Sequence, residues 1–157
     1  MKKKREADDF PFRIRDNDAN SGFLLWKTAY VWMYEQKRIL MKFHNISQME
    51  YVVLSSTYWL MLHDKEITQI YLSHHTKIEP MGISQLIKAL EARGLMERCE
   101  NAKDSRSKLV KVTEKGIELL KRAIVTTEAF DERFFRVLGK RLDVFNISML
   151  DLIQANE

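Results

Sequence analysis

Residues 80–95 carry a full set of helix start and stop signals, and these fix how the neighbouring segments can be arranged. Pro80 suits the first turn of a helix, where its missing N–H costs nothing. Ile83, Leu86, Ile87 and Leu90 recur at i, i+3, i+4 and i+7, the spacing of one apolar helix face. Gly94 then fits a left-handed C-cap, with Leu95 folding back onto the last turn. Only 5 Gly and 2 Pro punctuate the 157 residues, whereas a sheet-rich domain needs many turns. The chain is therefore expected to be mainly α-helical.

Its length suits one domain with a sizeable core. Hydrophobic residues make up 45% and charged residues 31%, which excludes both a disordered tail and an integral membrane protein. The net charge of +4 permits a polyanionic partner without requiring one. Cys99 is the single cysteine, so an internal disulfide and a four-cysteine metal site are impossible. Met1-Lys-Lys-Lys-Arg5 is followed by acids rather than an apolar run, and Tyr51–Leu62 is too short to span a bilayer of ~30 Å. A soluble cytoplasmic protein without membrane contact is expected.

In chain order, residues 1–20 have no helical period and suggest a flexible N-terminal arm, with Pro11 between Phe10 and Phe12. Phe23, Trp26, Tyr30, Met33 and Leu40 then form a helical seam, broken at Lys37. Trp32 and Tyr34 lie off that seam, so the helix is apolar on more than one side. Ser47-Gln-Met-Glu50 fits a capping box. It is followed by an expected buried stripe of Met49, Val52, Val53, Ser56, Trp59 and Leu60. A polar break at His63–Glu66 precedes a short helix marked by Ile67, Ile70 and Tyr71 and ending near Ser73. After the Pro80 helix, Met96–Glu100 and Lys108–Thr113 are the only strand candidates, joined by a polar tip of hairpin size. Thr113 can cap a long helix through Ile117, Leu120 and Ile124 toward Phe134; Gly139 interrupts, and a last helix runs from Leu142 to Ile153.

Helix, helix, short helix, turn, short helix and hairpin is the order of a winged helix-turn-helix. Its second short helix enters a DNA major groove about 12 Å wide, and the hairpin tip reaches the flanking backbone or minor groove. The flanking long helices have no role in a minimal reader, and dimerisation is the economical use for them. The sequence resembles the MarR family of bacterial transcription regulators from about Leu25 to about Leu120. The resemblance is carried by Thr68-Gln69, Ser84-Gln-Leu-Ile-Lys-Ala-Leu-Glu91, Arg93-Gly-Leu95 with Arg98, Asp104-Ser-Arg-Ser-Lys108 and Thr113-Glu-Lys-Gly116. It implies a homodimer whose N- and C-terminal helices interleave, with two lobes on a pseudo-palindrome and release by a small molecule or oxidant near the junction. The expected division is a dimerisation helix at 21–46, a DNA-binding lobe at 47–116 and C-terminal dimerisation helices at 117–157.

By that resemblance the helix starting at Pro80 is the recognition helix, with Met81, Ser84, Gln85 and Lys88 facing outward. Gln85 can pair bidentately with adenine, Ser84 with a base or phosphate, and Lys88 with phosphate. Gly82 stands where a small hydroxyl residue is usual and removes a possible contact. Arg106 in the hairpin tip suits a narrow groove of strong negative potential. Asp104 is expected to hold Arg106 or the turn's N–H groups. Lys103, Lys108 and Lys111 add phosphate attraction, and six basic residues against three acidic ones lie between Arg98 and Lys115. Thr68 and Gln69 begin the first short helix, where backbone N–H groups can hold a phosphate.

Other candidates carry less. His74 and His75 point about 100° apart on a helix, and there is no HExxH, so neither metal nor cofactor is expected. Cys99 is expected to be a small buried residue, and Met33, Met41 and Met49 core filler. Trp26, Tyr30, Tyr34, Tyr58 and Trp59 come from the helices that meet at the family's effector cleft, where they would line a pocket for an aromatic or amphipathic ligand. No nucleotide-binding loop or nucleophile motif is present, so no enzyme is expected. The competing function is a winged helix kept as a protein-interaction module that does not read DNA.

Overall fold

A computed structural model describes residues 19–63, 66–103 and 106–156. The expected arm at 1–20 therefore lies almost wholly outside the described residues, as does Asp104. The described residues fall into two compact units, divided between Glu35 and Gln36. Among the described residues, six helices and two strands follow in order: α1 (Ser21–His44), α2 (Gln48–Met61), α3 (Gln69–Thr76), α4 (Pro80–Ala92), β1 (Met96–Glu100), β2 (Lys108–Val112), α5 (Glu114–Phe135) and α6 (Leu142–Gln154). A 3-10 stretch, Arg136–Arg141, joins the last two.

In the first unit, Asn20 Oδ1 accepts the Phe23 N–H at 3.0 Å and starts α1. Phe23, Trp26 and Tyr30 then stack in succession, with ring centroids 6.1 and 5.5 Å apart. These rings and Met33 are exposed on the single chain. Within α1 only Gln36, Ile39 and Leu40, all in the second unit, are buried.

In the second unit, α1 stops at Asn45, which takes the left-handed conformation (φ 51°) that Asn tolerates better than most residues. The capping box opens α2: Ser47 Oγ accepts the Glu50 N–H at 3.2 Å, and Glu50 Oε2 accepts the Ser47 N–H at 2.7 Å. The stripe expected on α2 is rotated. Gln48, Val53, Leu54, Thr57 and Leu60 are buried, whereas Met49 is 40% and Trp59 51% exposed. Val53, Leu54 and Leu60 carry that row into the core, and polar Thr57 can accompany them because its hydroxyl donates to the Val53 carbonyl at 2.7 Å. Met33 and Met41 are also exposed rather than core filler.

Thr68 caps α3 by accepting the Tyr71 N–H at 3.1 Å. The helix runs to Thr76, three residues past the expected end near Ser73, because Lys77 supplies the left-handed stop (φ 59°). Ser73 Oγ donates to the Ile78 carbonyl at 2.6 Å and braces the turn into α4. Gly94 (φ 68°) ends α4, with the Leu95 N–H returning to the Leu90 carbonyl at 2.9 Å. The strands pair antiparallel, Arg98 opposite Val110 and Cys99 opposite Leu109. A bridge from Thr68 to Leu109, with Val110 N–H donating to the Ile67 carbonyl at 2.8 Å, joins the hairpin to the segment leading into α3.

The main core gathers Val53, Leu54, Leu60, Ile67, Leu72, Ile83, Ile87, Leu90, Leu95, Met96, Val110, Val112 and Leu120. It is the point at which α2, α3, α4, the hairpin and the start of α5 meet. A smaller cluster of Leu40, Ile46 and Ala123 ties α1 to α5. Gly139 breaks the chain between α5 and α6 with φ 51° and ψ −126°, a conformation essentially confined to glycine. No helix among the described residues is long and apolar enough to cross a membrane.

Candidate nucleic-acid interface

Helix α4 separates its two faces as its spacing predicts. Ile83, Ile87 and Leu90 are fully buried and Leu86 packs partly against the core. Met81, Ser84, Gln85 and Lys88 are exposed, with Met81 at 74%. Pro80 occupies the first turn, and the preceding Glu79 makes no side-chain cap, so the helix start carries no side chain of its own over its N–H groups. Gly82 sits where an added Cβ would lie 3.2 Å from Ile78 Cγ2, tight but yielding.

Four of the expected contact residues come together elsewhere. Thr68, Gln69, Arg106 and Lys108 line one cleft of about 280 Å³ between the start of α3 and the wing. Arg106 is exposed at the wing tip. The neighbouring turn is ordered by Asn101, whose amide donates to Ser107 Oγ at 2.8 Å and whose Oδ1 accepts the Lys103 N–H at 3.0 Å. Two wing lysines have acidic partners: Lys103 Nζ lies 2.9 Å from Glu66 and Lys108 Nζ 3.5 Å from Glu100. Such exposed pairs contribute little to stability.

Two arginines that sequence reasoning gave no role bind the lobe together. Arg93 bridges Glu50 Oε1 at 2.9 Å and the Asn45 carbonyl at 2.8 Å, fastening the end of α4 to the start of α2. Burial pushes the Glu50 carboxyl up, but the Ser47 hydrogen bonds and the Arg93 guanidinium outweigh it and hold the group below its ordinary range. Arg98, on β1, pairs with Glu91 of α4. No spacing rule in the sequence links a strand arginine to a helix seven residues earlier.

Among the aromatic candidates, Tyr58 and Trp59 line a cleft of about 390 Å³ with Tyr51, His75, Ile124 and Glu128. Trp59 lies 4.0 Å from the His63 ring and stacks on His75 at 5.8 Å. Tyr51 shares a 2.8 Å hydrogen bond with Thr127; burial above all, with the carboxylates of Asp131 and Glu128 adding to it, raises its hydroxyl pKa against that bond. Trp26, Tyr30 and Tyr34 belong to the first unit and are exposed there. Cys99 is half-buried, not buried, with its Sγ 3.8 Å from Glu97 Oε1.

Comparison with known proteins assigns this architecture. The family model described as Transcriptional regulator SarA/Rot matches residues 35–123, more than half of the chain. The chain belongs to that family and is a transcriptional regulator of the winged-helix MarR type. It is 29% identical over 124 residues to the uncharacterized HTH-type transcriptional regulator YdcH of Bacillus subtilis (strain 168), covering 79% of this chain and 84% of that one. In fold it is similar to the PcaV transcriptional regulator of Streptomyces coelicolor, solved with its natural ligand (TM-score 0.76, 17% identity, 93% and 100% of the two chains). It is likewise similar to S. aureus MepR in a DNA complex (TM-score 0.74, 18% identity, 90% and 100%).

Proposed function

We propose that the protein is a dimeric, sequence-specific repressor that binds a pseudo-palindromic operator and releases it on binding a small aromatic or amphipathic effector. The observation that carries this reading is the exposed polar row Ser84, Gln85 and Lys88 on a helix whose opposite face is held in the core by the buried Ile83, Ile87 and Leu90. A row so held presents hydrogen-bonding groups at fixed spacing, as base readout requires. Thr68, Gln69, Arg106 and Lys108 add a second contact zone suited to phosphates and the minor groove. MepR, solved as a DNA complex, shares the fold.

The dimer is supported by α6, none of whose residues is buried although Val144, Ile147, Leu150, Leu152 and Ile153 are apolar. An apolar helix face of that extent calls for a cover, and a second copy supplies one. The effector is supported by the cleft at Tyr58 and Trp59, and by PcaV, which was solved with a natural ligand.

Selection of bound duplexes from sheared genomic DNA, followed by sequencing, tests the proposal. Enrichment of one inverted repeat supports it; sequence-blind, salt-labile binding overturns it. That second outcome favours a protein-interaction module, a reading for which the pairing of Lys103 and Lys108 with Glu66 and Glu100 speaks.

A further inference from the structure

Arg98 stands at a junction of three elements. From β1 its guanidinium meets the carboxylate of Glu91 near the end of α4. Its Nη2 also reaches the Ser84 carbonyl, on the exposed row of α4, at 3.4 Å. With the Gln69 amide turned so that its oxygen faces the guanidinium, that oxygen accepts from Nε at 2.7 Å and from Nη2 at 3.1 Å, drawing in the first turn of α3. The side chains of Arg98 and Glu91 are only 27% and 26% exposed.

We infer that Arg98 is a positioning residue for DNA reading: it fixes the recognition helix relative to α3 and the wing, and it contacts no phosphate itself. The inference rests on the DNA-binding reading above. A guanidinium offers five donors in a rigid planar fork, so it can hold a carboxylate, an amide and a carbonyl in one plane; a lysine ammonium has no such fixed fan. Glu91 balances the charge, leaving little attraction for an incoming anion. The inference also reassigns Gln69. Its oxygen is engaged within the lobe, so Gln69 acts through α3 rather than as an independent DNA contact. A shift of a few tenths of an ångström at this junction would misplace Ser84 and Gln85 together, because Arg98 touches the backbone of that row.

The test uses the full-length protein, a duplex it enriches from a random-sequence pool, and an unrelated duplex of the same length. For Arg98→Gln and Arg98→Lys, affinity for the enriched duplex is expected to fall about tenfold or more. Affinity for the unrelated duplex and the dependence of log affinity on log salt are expected to be unchanged. A salt slope reduced by ~0.9 would make Arg98 a phosphate contact and overturn the inference. Glu91→Gln provides the second arm, because it keeps the guanidinium but removes its anchor. Positioning predicts a loss of specific affinity there as well. A gain would mean that the released arginine serves DNA directly, and unchanged affinity would mean that the anchor holds nothing; either overturns the inference. Melting curves followed by circular dichroism confirm that each variant is folded, and if an Arg98 variant unfolds, Glu91→Gln decides alone. A native chain that enriches no duplex would overturn the DNA-reading function itself, and the inference with it, whereas native enrichment with unaffected variants overturns the inference alone.

Discussion

Gly116 and Leu95 approach so closely that a methyl group on Gly116 would lie 2.2 Å from the Leu95 carbonyl oxygen and 2.6 Å from Val112 Cγ1. The contact seats the first turn of α5 against the end of α4 and the exit of the wing. Around it, Thr113 Oγ1 donates to the Gly94 carbonyl at 2.7 Å and Lys115 Nζ to the Arg93 carbonyl at 2.7 Å.

Gly116→Ala is therefore expected to destabilise the protein although alanine favours helices. Helix propensity returns about 1 kcal/mol, but overpacking against a rigid carbonyl costs about 1–3 kcal/mol and cannot relax through a side chain. Urea denaturation is the measurement; a midpoint at or above that of the native protein would show that α5 can slide away from Leu95.

Glu50 gives stability a defined acid limb. Its carboxyl titrates below the ordinary value of 4.5 in the folded protein, so its contribution is fully present above that value and is lost as pH falls through the lower, folded pKa. Glu50→Gln keeps a hydrogen-bonding partner for the Ser47 N–H but not the charge facing Arg93. At neutral pH it is expected to be less stable by about 1 kcal/mol. The native and variant melting temperatures should converge as pH drops below 4.5. Parallel curves would mean that the Arg93 contact contributes nothing.

Arg106→Ala is expected to reduce affinity for an enriched duplex at least tenfold and to lower the salt slope by ~0.9 while the oligomeric state is unchanged. Gln85→Ala should behave differently. A lost base contact weakens binding to the enriched duplex by about 1–3 kcal/mol and leaves unrelated DNA untouched. Titration of both variants at several salt concentrations separates the two roles, and identical behaviour would refute the division of labour between helix and wing.

Ile147→Asp on the exposed face of α6 is expected to leave the helical signal intact and to shift the protein to a monomer in sedimentation equilibrium. The residue is 58% exposed, so within one chain the substitution costs little. An unchanged mass would remove α6 from the proposed dimer.

How much of this the sequence disclosed depends on the range of the interactions. Signals confined to a few residues were legible: the Ser47–Glu50 capping box, the Thr113 cap, the Gly94 stop, the Gly139 break and the two faces of α4. Each is decided by local hydrogen bonding or by one helical turn. The buried stripe of α2 was misjudged because Trp59 and Met49 are apolar and fall at helical spacing, yet their flank of the helix borders clefts. Thr57, which is polar, can face inward because its hydroxyl is satisfied within its own helix. The end of α3 was missed because Lys77, not a glycine, takes the left-handed turn. The roles of Arg93 and Arg98 depend on partners 43 and 7 residues away across the packed lobe, and nothing in periodicity points to such pairs.

The bond from Val110 to the Ile67 carbonyl makes the wing an extension of the helix-turn-helix rather than a free-standing hairpin. Two probes fastened to one frame cannot adjust separately to a duplex. If α4 and Arg106 contact DNA as proposed, inserting a single base pair between their two stretches would force the protein to abandon one of them. Operators should accordingly tolerate changes of base within each stretch more readily than any change in the distance between them.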